Sequence, residues 1–192
     1  MRMSMNKFQW SLIVLLCAFF LSCCANMSKL VYSESAGLNG GFENFEEGLP
    51  VNWSMYSADV VRDGDFSISA DQSEFVEGKQ SLKFDVKQCS DRGGLWSPGF
   101  CREFFEEGSG LFRFSGYVLN NKTHFRLSAG GVDAHHGTMT VLLENNSDDQ
   151  NWQEFSYEVL VPTGSHLRIE LNVLSPGVLR VDDIRIEKIK SA

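Results

Sequence analysis

The sequence lacks the motifs by which most enzymes are recognised. It contains no Gly-x-Ser-x-Gly nucleophile elbow, no glycine-rich phosphate loop and no His-Glu-x-x-His metal motif. Adjacent acids occur at Glu106/Glu107 and Asp148/Asp149, but a glycosidase needs two carboxylates held across a cleft. We therefore expect a protein that is not an enzyme, with a divergent hydrolase as the weakest alternative.

Positive charge is also scarce. The 192 residues hold 17 lysines and arginines against 25 aspartates and glutamates, for a net charge of −8. Arg2 and Lys7 lie in the first few residues, and the rest of the chain carries 15 basic residues and a net charge of −10. An acidic surface repels nucleic acid and anionic lipid headgroups, so we expect neither as a partner.

Long apolar runs are absent except near the N-terminus. Residues 10–22 read Trp-Ser-Leu-Ile-Val-Leu-Leu-Cys-Ala-Phe-Phe-Leu-Ser. This run is shorter than the about 20 residues that span a bilayer, and it matches the roughly 7–15 residues of a signal-peptide core. Because Arg2 and Lys7 precede it and a cysteine pair follows it, the segment resembles a bacterial lipoprotein signal peptide. An ordinary cleaved signal and an N-terminal membrane anchor are the alternatives.

The resemblance implies that Cys23 is the lipidated residue. Its lipobox would be Phe-Leu-Ser-Cys, with Phe20 where leucine is preferred. Cys24 is the alternative, because Leu21 then stands in that place. The mature protein would be anchored by lipid in the bacterial cell envelope, at the outer membrane or the cell surface.

These features divide the chain into three parts. The expected signal peptide covers residues 1–22, and a lipidated N-terminus with a short polar tether covers residues 23–37. Residues 38–192 are long enough for one domain with its own core.

Cysteine is rare in that domain, where only Cys89 and Cys101 occur. In an oxidising compartment two cysteines can form one disulfide, which would stabilise the fold by about 3 kcal/mol. We predict that disulfide, with two free thiols as the alternative.

Alternation of apolar and polar residues dominates the chain after residue 38. It is clearest in residues 80–86, 112–118, 154–161 and 166–173, and it is typical of strands that bury one face. Clusters of Gly, Asn, Asp and Pro separate these stretches. The pattern predicts an all-β protein, a two-sheet β-sandwich of the jelly-roll type.

Five short motifs occur along the domain in a familiar order. They are Leu-Asn-Gly-Gly-Phe-Glu at 38–43, Gly-Leu-Pro-Val-Asn-Trp at 48–53, Glu-Gly-Lys-Gln-Ser-Leu-Lys-Phe at 77–84, Asn-Trp-Gln-Glu-Phe-Ser at 151–156 and Val-Asp-Asp-Ile-Arg-Ile at 181–186. Together they resemble carbohydrate-binding modules of the family 4/9 type, which are galactose-binding-like jelly rolls. The resemblance extends over the whole domain and is more specific for the fold than for sugar binding.

The same resemblance implies a structural calcium ion. Its ligands would be the carboxylate of Glu43, backbone carbonyls of the turn Glu77–Lys79 and the carboxylate of Asp182. Calcium prefers such a mixture of carboxylate and carbonyl oxygens. Strand alternation allows only one of Asp182 and Asp183 to face the ion. The alternative is a set of solvated acids beside a turn.

Sugar recognition usually needs exposed aromatic faces and planar polar side chains. Trp53 and Trp152 fall in the structural motifs, so we predict that both are in the core. Trp96 lies in the loop Gly-Gly-Leu-Trp-Ser-Pro-Gly-Phe and is either a stacking platform or a lid on the core.

Polar candidates for the same site come from one strand and one loop. His124 and Arg126 share a face of their strand and either line a ligand site or stand on a solvated face. His135 and His136 are adjacent and therefore unsuited to chelating one ion from a strand. We predict ligand contacts for both, with simple exposure as the alternative.

The favoured function is a lipid-anchored, non-catalytic carbohydrate-binding protein of the cell envelope. Its partners would be a polysaccharide or oligosaccharide and, through the lipid anchor, a membrane. The alternative is a protein–protein interaction or adhesion module that uses the same sandwich and binds an envelope protein.

Overall fold

The computed structural model describes residues 30–134 and 136–191. The leader, Cys23 and His135 lie outside the described residues. Within them the chain is built from twelve strands and two short 3-10 turns, Glu34–Ala36 and Gly94–Trp96. None of the helical segments among these residues is long and apolar enough to cross a membrane. The strands are β1 (Phe45–Glu46), β2 (Leu49–Pro50), β3 (Ser54–Tyr56), β4 (Asp65–Asp71), β5 (Ser81–Gln88), β6 (Gly99–Phe104), β7 (Gly110–Asn121), β8 (Phe125–Val132), β9 (Gly137–Asn145), β10 (Gln153–Val161), β11 (His166–Val173) and β12 (Gly177–Ser191).

Ten of these strands form two five-stranded antiparallel sheets. The back sheet has the order β10-β7-β12-β5-β4, and the front sheet has the order β3-β6-β11-β8-β9. The short strands β1 and β2 form a separate pair. The two sheets enclose one hydrophobic core. The predicted all-β, two-sheet sandwich is confirmed.

Strand alternation decides which side chains enter the core. In β11, Leu167, Ile169 and Leu171 are fully buried between the sheets. Because successive side chains in a strand point to opposite faces, Arg168 and Glu170 are directed to the outer face of the front sheet. The sequence that builds the core therefore also fixes the polar pattern outside it.

An aromatic cluster anchors the opening motifs between the sheets. Phe42, Trp53 and Phe100 are each at most 1% exposed, and the Trp53 and Phe100 ring centroids lie 4.9 Å apart. The Trp53 indole N–H donates to the carbonyl of Asn39 at 3.0 Å. The predicted burial of Trp53 is confirmed, whereas Trp152 is only half-buried.

The described part of the expected tether lies on the sandwich. Asn52 is 2% exposed, and its side chain donates to the carbonyls of Ser33 and Gly37 at 2.7 and 2.8 Å. It also accepts from the amide of Ser33 at 2.8 Å. The Asn52 amide donates to the carbonyl of Val31 at 2.8 Å. Residues 31–37 are thus fastened beside β3.

The predicted disulfide between Cys89 and Cys101 is wrong, because both thiols are free. Cys89 follows β5 and packs against the core, with its thiol 3.6 Å from the carbonyl oxygen of Val173. Cys101 lies in β6, beside Tyr56 on the outer face. A disulfide needs two facing Cβ atoms, and these two side chains have different surroundings. Burial raises the pKa of the Cys89 thiol to about 11 and also raises that of Cys101.

A largely buried ion pair connects three strands of the back sheet. The Arg180 guanidinium donates to Asp71 at 2.8 Å and to the side-chain oxygen of Asn121 at 3.0 Å. Asp71 also accepts from the amide and hydroxyl of Ser73 at 2.9 and 2.6 Å. Burial alone would raise the pKa of Asp71, but Ser73 and Arg180 outweigh it and lower that pKa to about 2.

We expect the Asp71 ion pair to contribute to stability at neutral pH. Because the folded-state pKa lies below that of the unfolded chain, the contribution is full above about pH 4 and is lost as the pH falls towards 2. Asp71→Asn should cost about 2 kcal/mol at pH 7 and should flatten the acid side of the stability curve, measured by urea denaturation from pH 2 to 7. Asp65→Asn, on an exposed residue of the same strand, is the control. An identical loss in both variants would contradict the account.

Candidate functional site

The outer face of the front sheet carries a continuous polar network. It is built by strand alternation from β3, β6 and β11, which are neighbours in the sheet although distant in sequence. In β6, Cys101 pairs with Glu170 of β11, and Ser54 of β3 pairs with Cys101 on its other side. Side chains from three strands therefore meet in one row.

Arg168 is the centre of this network. Its guanidinium donates to Glu103 at 2.6 Å, to Glu170 at 2.9 Å and to the hydroxyl of Tyr56 at 3.0 Å. Glu103 is also 3.0 Å from the ring nitrogen Nε2 of His166. One guanidinium thus holds side chains from β3, β6 and β11 in a fixed arrangement.

Burial and charge shape the protonation of these groups. Burial raises the pKa of Tyr56, so its hydroxyl keeps its proton. Burial would also raise the pKa of Glu103, but hydrogen bonds from His166 and Arg168 outweigh it and lower that pKa. Glu103 is therefore a carboxylate at neutral pH, a hydrogen-bond acceptor and a poor proton donor.

Tyr56, Glu103 and Arg168 of this network line the floor of an open cleft of about 740 Å³ at the β3–β6 edge of the front sheet. The floor is polar and includes Ser54, Tyr56, Cys101, Glu103 and Arg168. The exposed rim is rich in apolar side chains, Leu30, Tyr32, Leu95 and Phe105, and also carries the acids Glu106 and Glu107.

The rim side chains are unusually exposed for their size. Tyr32 is 69% exposed and Phe105 is 68% exposed. The Phe105 ring lies over His166, with 4.2 Å between the ring centroids. Exposed aromatic and aliphatic side chains beside a cavity indicate a binding surface more often than a packing defect.

The loop between β5 and β6 extends the site along the same outer face. Gly93 has a φ of +77°, and a Cβ there would lie 2.3 Å from a guanidinium nitrogen of Arg126. The positive φ favours glycine here, and the loop comes close to the sheet at this position. The loop presents Trp96, which is 57% exposed, with the Arg92 guanidinium 5.4 Å from its ring centroid. Trp96 is therefore an exposed aromatic residue of this face and not a lid on the core.

The loop that carries Trp96 approaches another predicted ligand residue, Arg126, at Gly93. Arg126 pairs in register with Glu144 of β9, and His124 Nε2 is 2.7 Å from the Glu144 carboxylate. Arg126 itself forms no ion pair among residues 30–134 and 136–191. His124 and Arg126 share the outer face, as predicted.

His136 lies elsewhere, in the hairpin turn between β8 and β9. Its amide donates to the side chain of Asp133 at 2.7 Å, and its side chain is 88% exposed. The adjacent His135 is outside the described residues. Whether either histidine contacts a ligand stays a prediction.

The predicted calcium ligands do meet, in the back part of the sandwich. Glu43 accepts from the amides of Lys79 and Gln80 at 2.9 and 3.3 Å. Asp182 accepts from the amides of Val76 and Glu77 at 2.7 and 3.1 Å. A Cβ on Gly78 would lie 2.1 Å from a carboxylate oxygen of Glu43, so this turn also requires glycine.

The neighbouring acid, Asp183, has a different hydrogen-bonding partner from Asp182. Asp183 has a φ of +49° at an irregularity in β12, and its carboxylate pairs with Arg185. Asp182 is fully buried, and burial raises its pKa even though three backbone amides donate to it.

This arrangement does not by itself make a calcium site. Calcium takes six to eight oxygen ligands, whereas the two carboxylates here accept hydrogen bonds from the turn's own amides. No group of three or more His, Cys, Asp or Glu side chains that could hold a metal occurs in the described part of the chain. Direct carboxylate-to-amide hydrogen bonds hold the turn, and calcium binding stays a prediction.

Sequence reasoning missed the central residues of the cleft. Arg168 and Glu170 were visible as outward positions of β11, but Tyr56 and Glu103 come from strands whose pairing has no local signal. The one available signal was the density of charge in 166–170, where every outward position is polar.

No protein-family model matches this sequence, and no curated protein matches it. Solved structures nevertheless share its fold. The xylan-binding CBM22-1 domain of Paenibacillus barcinonensis Xyn10C is 17% identical, with a TM-score of 0.56 over 77% of this chain and 92% of that domain.

Two further structures are similar. A xylan-binding domain of carbohydrate-binding module family 22 is 11% identical, with a TM-score of 0.53 over 85% of this chain and 96% of that one. A family 4 carbohydrate-binding module is 11% identical, with a TM-score of 0.52 over 78% of this chain and 97% of that one. The chain therefore has the jelly-roll fold of carbohydrate-binding modules, at identities that establish the fold alone.

We expect the Arg168 network to be the most sensitive part of the outer face. Arg168→Met leaves Glu103 and Glu170 half-buried without their cation and should destabilise the fold by roughly 2 kcal/mol in urea denaturation. Arg113→Met is a matched control, because Arg113 pairs with Glu158 and Glu187 on the more exposed outer face of the back sheet. Its cost should be below about 0.5 kcal/mol. Equal costs would show that the Arg168 network is an ordinary surface cluster.

Proposed function

We propose that this protein is a non-catalytic glycan-binding protein, related to modules of the family 4/9 type and anchored by lipid in the bacterial cell envelope. The cleft on the outer face of the front sheet is the binding site. The observation that carries the proposal is the combination, in one cleft, of a rigid polar floor and an exposed apolar rim.

The chemistry of the cleft suits a sugar ring. A pyranose has apolar C–H faces and a polar edge of hydroxyl groups, and protein sites for it combine aromatic surfaces with fixed hydrogen-bonding side chains. Phe105 would supply an apolar contact. Glu103 and Arg168 would accept from and donate to hydroxyl groups, and because they already hold each other, little side-chain entropy is lost on binding.

The outer face offers a second set of contacts beyond the cleft. Trp96 is an exposed aromatic ring, and Arg126 has a guanidinium without an ion-pair partner among the described residues. These two side chains would extend recognition along the sheet, so that several successive sugar rings are bound. Xylan is the first glycan to test, because two of the similar structures are described as xylan-binding.

The state of the cleft carboxylates favours binding over hydrolysis. A glycosidase needs a carboxylic acid with a raised pKa to protonate the leaving group. Hydrogen bonds from His166 and Arg168 lower the pKa of Glu103, and Glu170 is paired with the same Arg168 at 2.9 Å. Glu103 is thereby held as a hydrogen-bond acceptor, which supports a binding role for this residue. Glu106 and Glu107 also line the cleft, at its exposed rim.

We expect the whole chain in detergent to bind at least one member of a polysaccharide panel that begins with xylan, in isothermal titration calorimetry. Phe105→Ala should weaken that binding about tenfold, because an apolar contact with the sugar face is lost. Leu160→Ala is the matched control, because Leu160 is 70% exposed but lies on the back sheet, and its affinity should not change.

Two results would contradict the proposal in different ways. If the unaltered protein binds no soluble or insoluble polysaccharide, the glycan function is wrong, and the same apolar rim would instead serve a protein partner. If the protein binds a glycan but Phe105→Ala and Leu160→Ala have equal affinity, the site is not this cleft.

The lipid anchor is the second part of the proposal. Seven peptide steps separate Cys23 from Leu30, which lines the cleft, and an extended chain of that length reaches at most about 25 Å. Acylation of Cys23 would therefore keep the cleft close to the membrane. A tether this short suits the capture of a ligand at the envelope.

We expect metabolic labelling with a palmitate analogue to modify the protein in a bacterium that processes lipoproteins. Cys23→Ser should abolish the label and release the protein from membranes, whereas Cys24→Ser should keep both. Loss of label only in Cys24→Ser would assign the acyl chain to the other cysteine, and no label in the unaltered protein would contradict the anchor.

A further inference from the structure

We infer that the segment leading into the sandwich is itself a wall of the binding cleft and that Tyr32 contacts the bound glycan. This inference rests on the proposed function and adds a ligand contact from outside the strands. The segment consists of residues 30–37, between the expected lipid attachment and the first motif of the domain.

The segment is fixed by one buried side chain. Asn52 makes three hydrogen bonds to backbone groups of Ser33 and Gly37, all between 2.7 and 2.8 Å. Its own amide adds a fourth, to the carbonyl of Val31 at 2.8 Å. With the residue before and the residue after it both held, the backbone of Tyr32 has little freedom.

The position of Asn52 explains why this fastening is rigid. It is 2% exposed and has a φ of +67°, a conformation that asparagine adopts more readily than most residues. It lies between β2 and β3, and β3 is the edge strand of the front sheet. The fastening therefore places the segment along the side of the cleft that β3 forms.

The Tyr32 ring lines the cleft and makes no contribution to the hydrophobic core. It lines the cavity and is 69% exposed. Arg102, whose pKa burial lowers, lines the same cavity. A large ring kept in solvent by a rigid backbone gains nothing from folding, but it is ready to contact a ligand.

Two exposed aromatic rings thus border one polar floor. Phe105 comes from the end of β6, and Tyr32 comes from the segment before the domain. All four residues, Tyr32, Glu103, Phe105 and Arg168, line the same cavity, so a glycan in contact with Glu103 and Arg168 would be within reach of both rings. Binding would then bury Tyr32 and hold the segment more tightly, which couples ligand binding to the tether.

The test compares four forms of the whole chain in detergent against the best polysaccharide of the panel. Tyr32→Ala should weaken binding about tenfold, and Tyr32→Phe should stay within about twofold, because the ring and not the hydroxyl makes the contact. Glu34→Ala is the control, since Glu34 is exposed in the same segment and does not line the cleft. All forms should melt within about 1 °C of each other.

Each outcome is separable from failure of the proposed function. If the unaltered protein binds and Tyr32→Ala binds equally well, the inference is wrong and the proposed function stands. If Tyr32→Phe loses as much affinity as Tyr32→Ala, contact through the ring is wrong. If no form binds any glycan, the proposed function fails first.

A second variant tests the fastening. Asn52→Gly keeps the positive φ but removes the three side-chain hydrogen bonds, so it should lower affinity about as much as Tyr32→Ala does. In the double variant the two losses should not add. Full additivity would show that Tyr32 acts independently of the hydrogen bonds that hold residues 30–37. It would contradict the inference that this segment forms a wall of the cleft.

Discussion

The strict alternation of β11 is the constraint on which the rest of the site depends. Leu167, Ile169 and Leu171 have to enter the core, so Arg168 and Glu170 have to lie on the opposite face. Charged groups held half-buried on a sheet are costly unless they are paired. Arg168 meets this cost by joining Glu103, Glu170 and Tyr56, and the result is a polar floor that exists before any ligand arrives.

A floor of this kind favours recognition without reaction. Its acceptors and donors are oriented by each other, so binding requires little rearrangement. Burial would raise the pKa of Glu103, but hydrogen bonds from His166 and Arg168 outweigh it and lower that pKa, which makes Glu103 a poor proton donor. The apolar side chains of the rim are exposed to water, which is unfavourable, and no packing within the fold compensates for it. We interpret floor and rim together as two halves of one recognition surface, matched to the polar edge and apolar face of a sugar.

The sequence allowed the architecture to be predicted, because alternation is a local pattern. It also led to the prediction that Glu43, Asp182 and the Glu77–Lys79 turn bind calcium. In the structure the two carboxylates accept from backbone amides of this turn region, and calcium binding stays a prediction. The sequence could not indicate the floor. Arg168 and Tyr56 are separated by 112 residues in sequence, and only the order of strands in the front sheet brings them together.

Two other features had no reliable local signal. Cys89 and Cys101 are close in sequence, but alternation and the change of sheet between β5 and β6 give them different surroundings. Residues 30–37 were predicted to be part of a polar tether, because nothing in their composition indicates that Asn52 forms hydrogen bonds with their backbone. In both cases long-range geometry outweighs composition, which is why the predicted disulfide was wrong.

The central claim is that the outer face of the front sheet, around Arg168, is the surface that binds glycan. Backbone amide chemical shifts recorded by NMR during titration with a bound oligosaccharide test it most directly. The account predicts that the largest shifts occur in β3, β6 and β11 and in residues 30–37, with the back sheet unchanged. Shifts confined to β4, β5, β7, β10 or β12, or no shifts at saturating glycan, would contradict it.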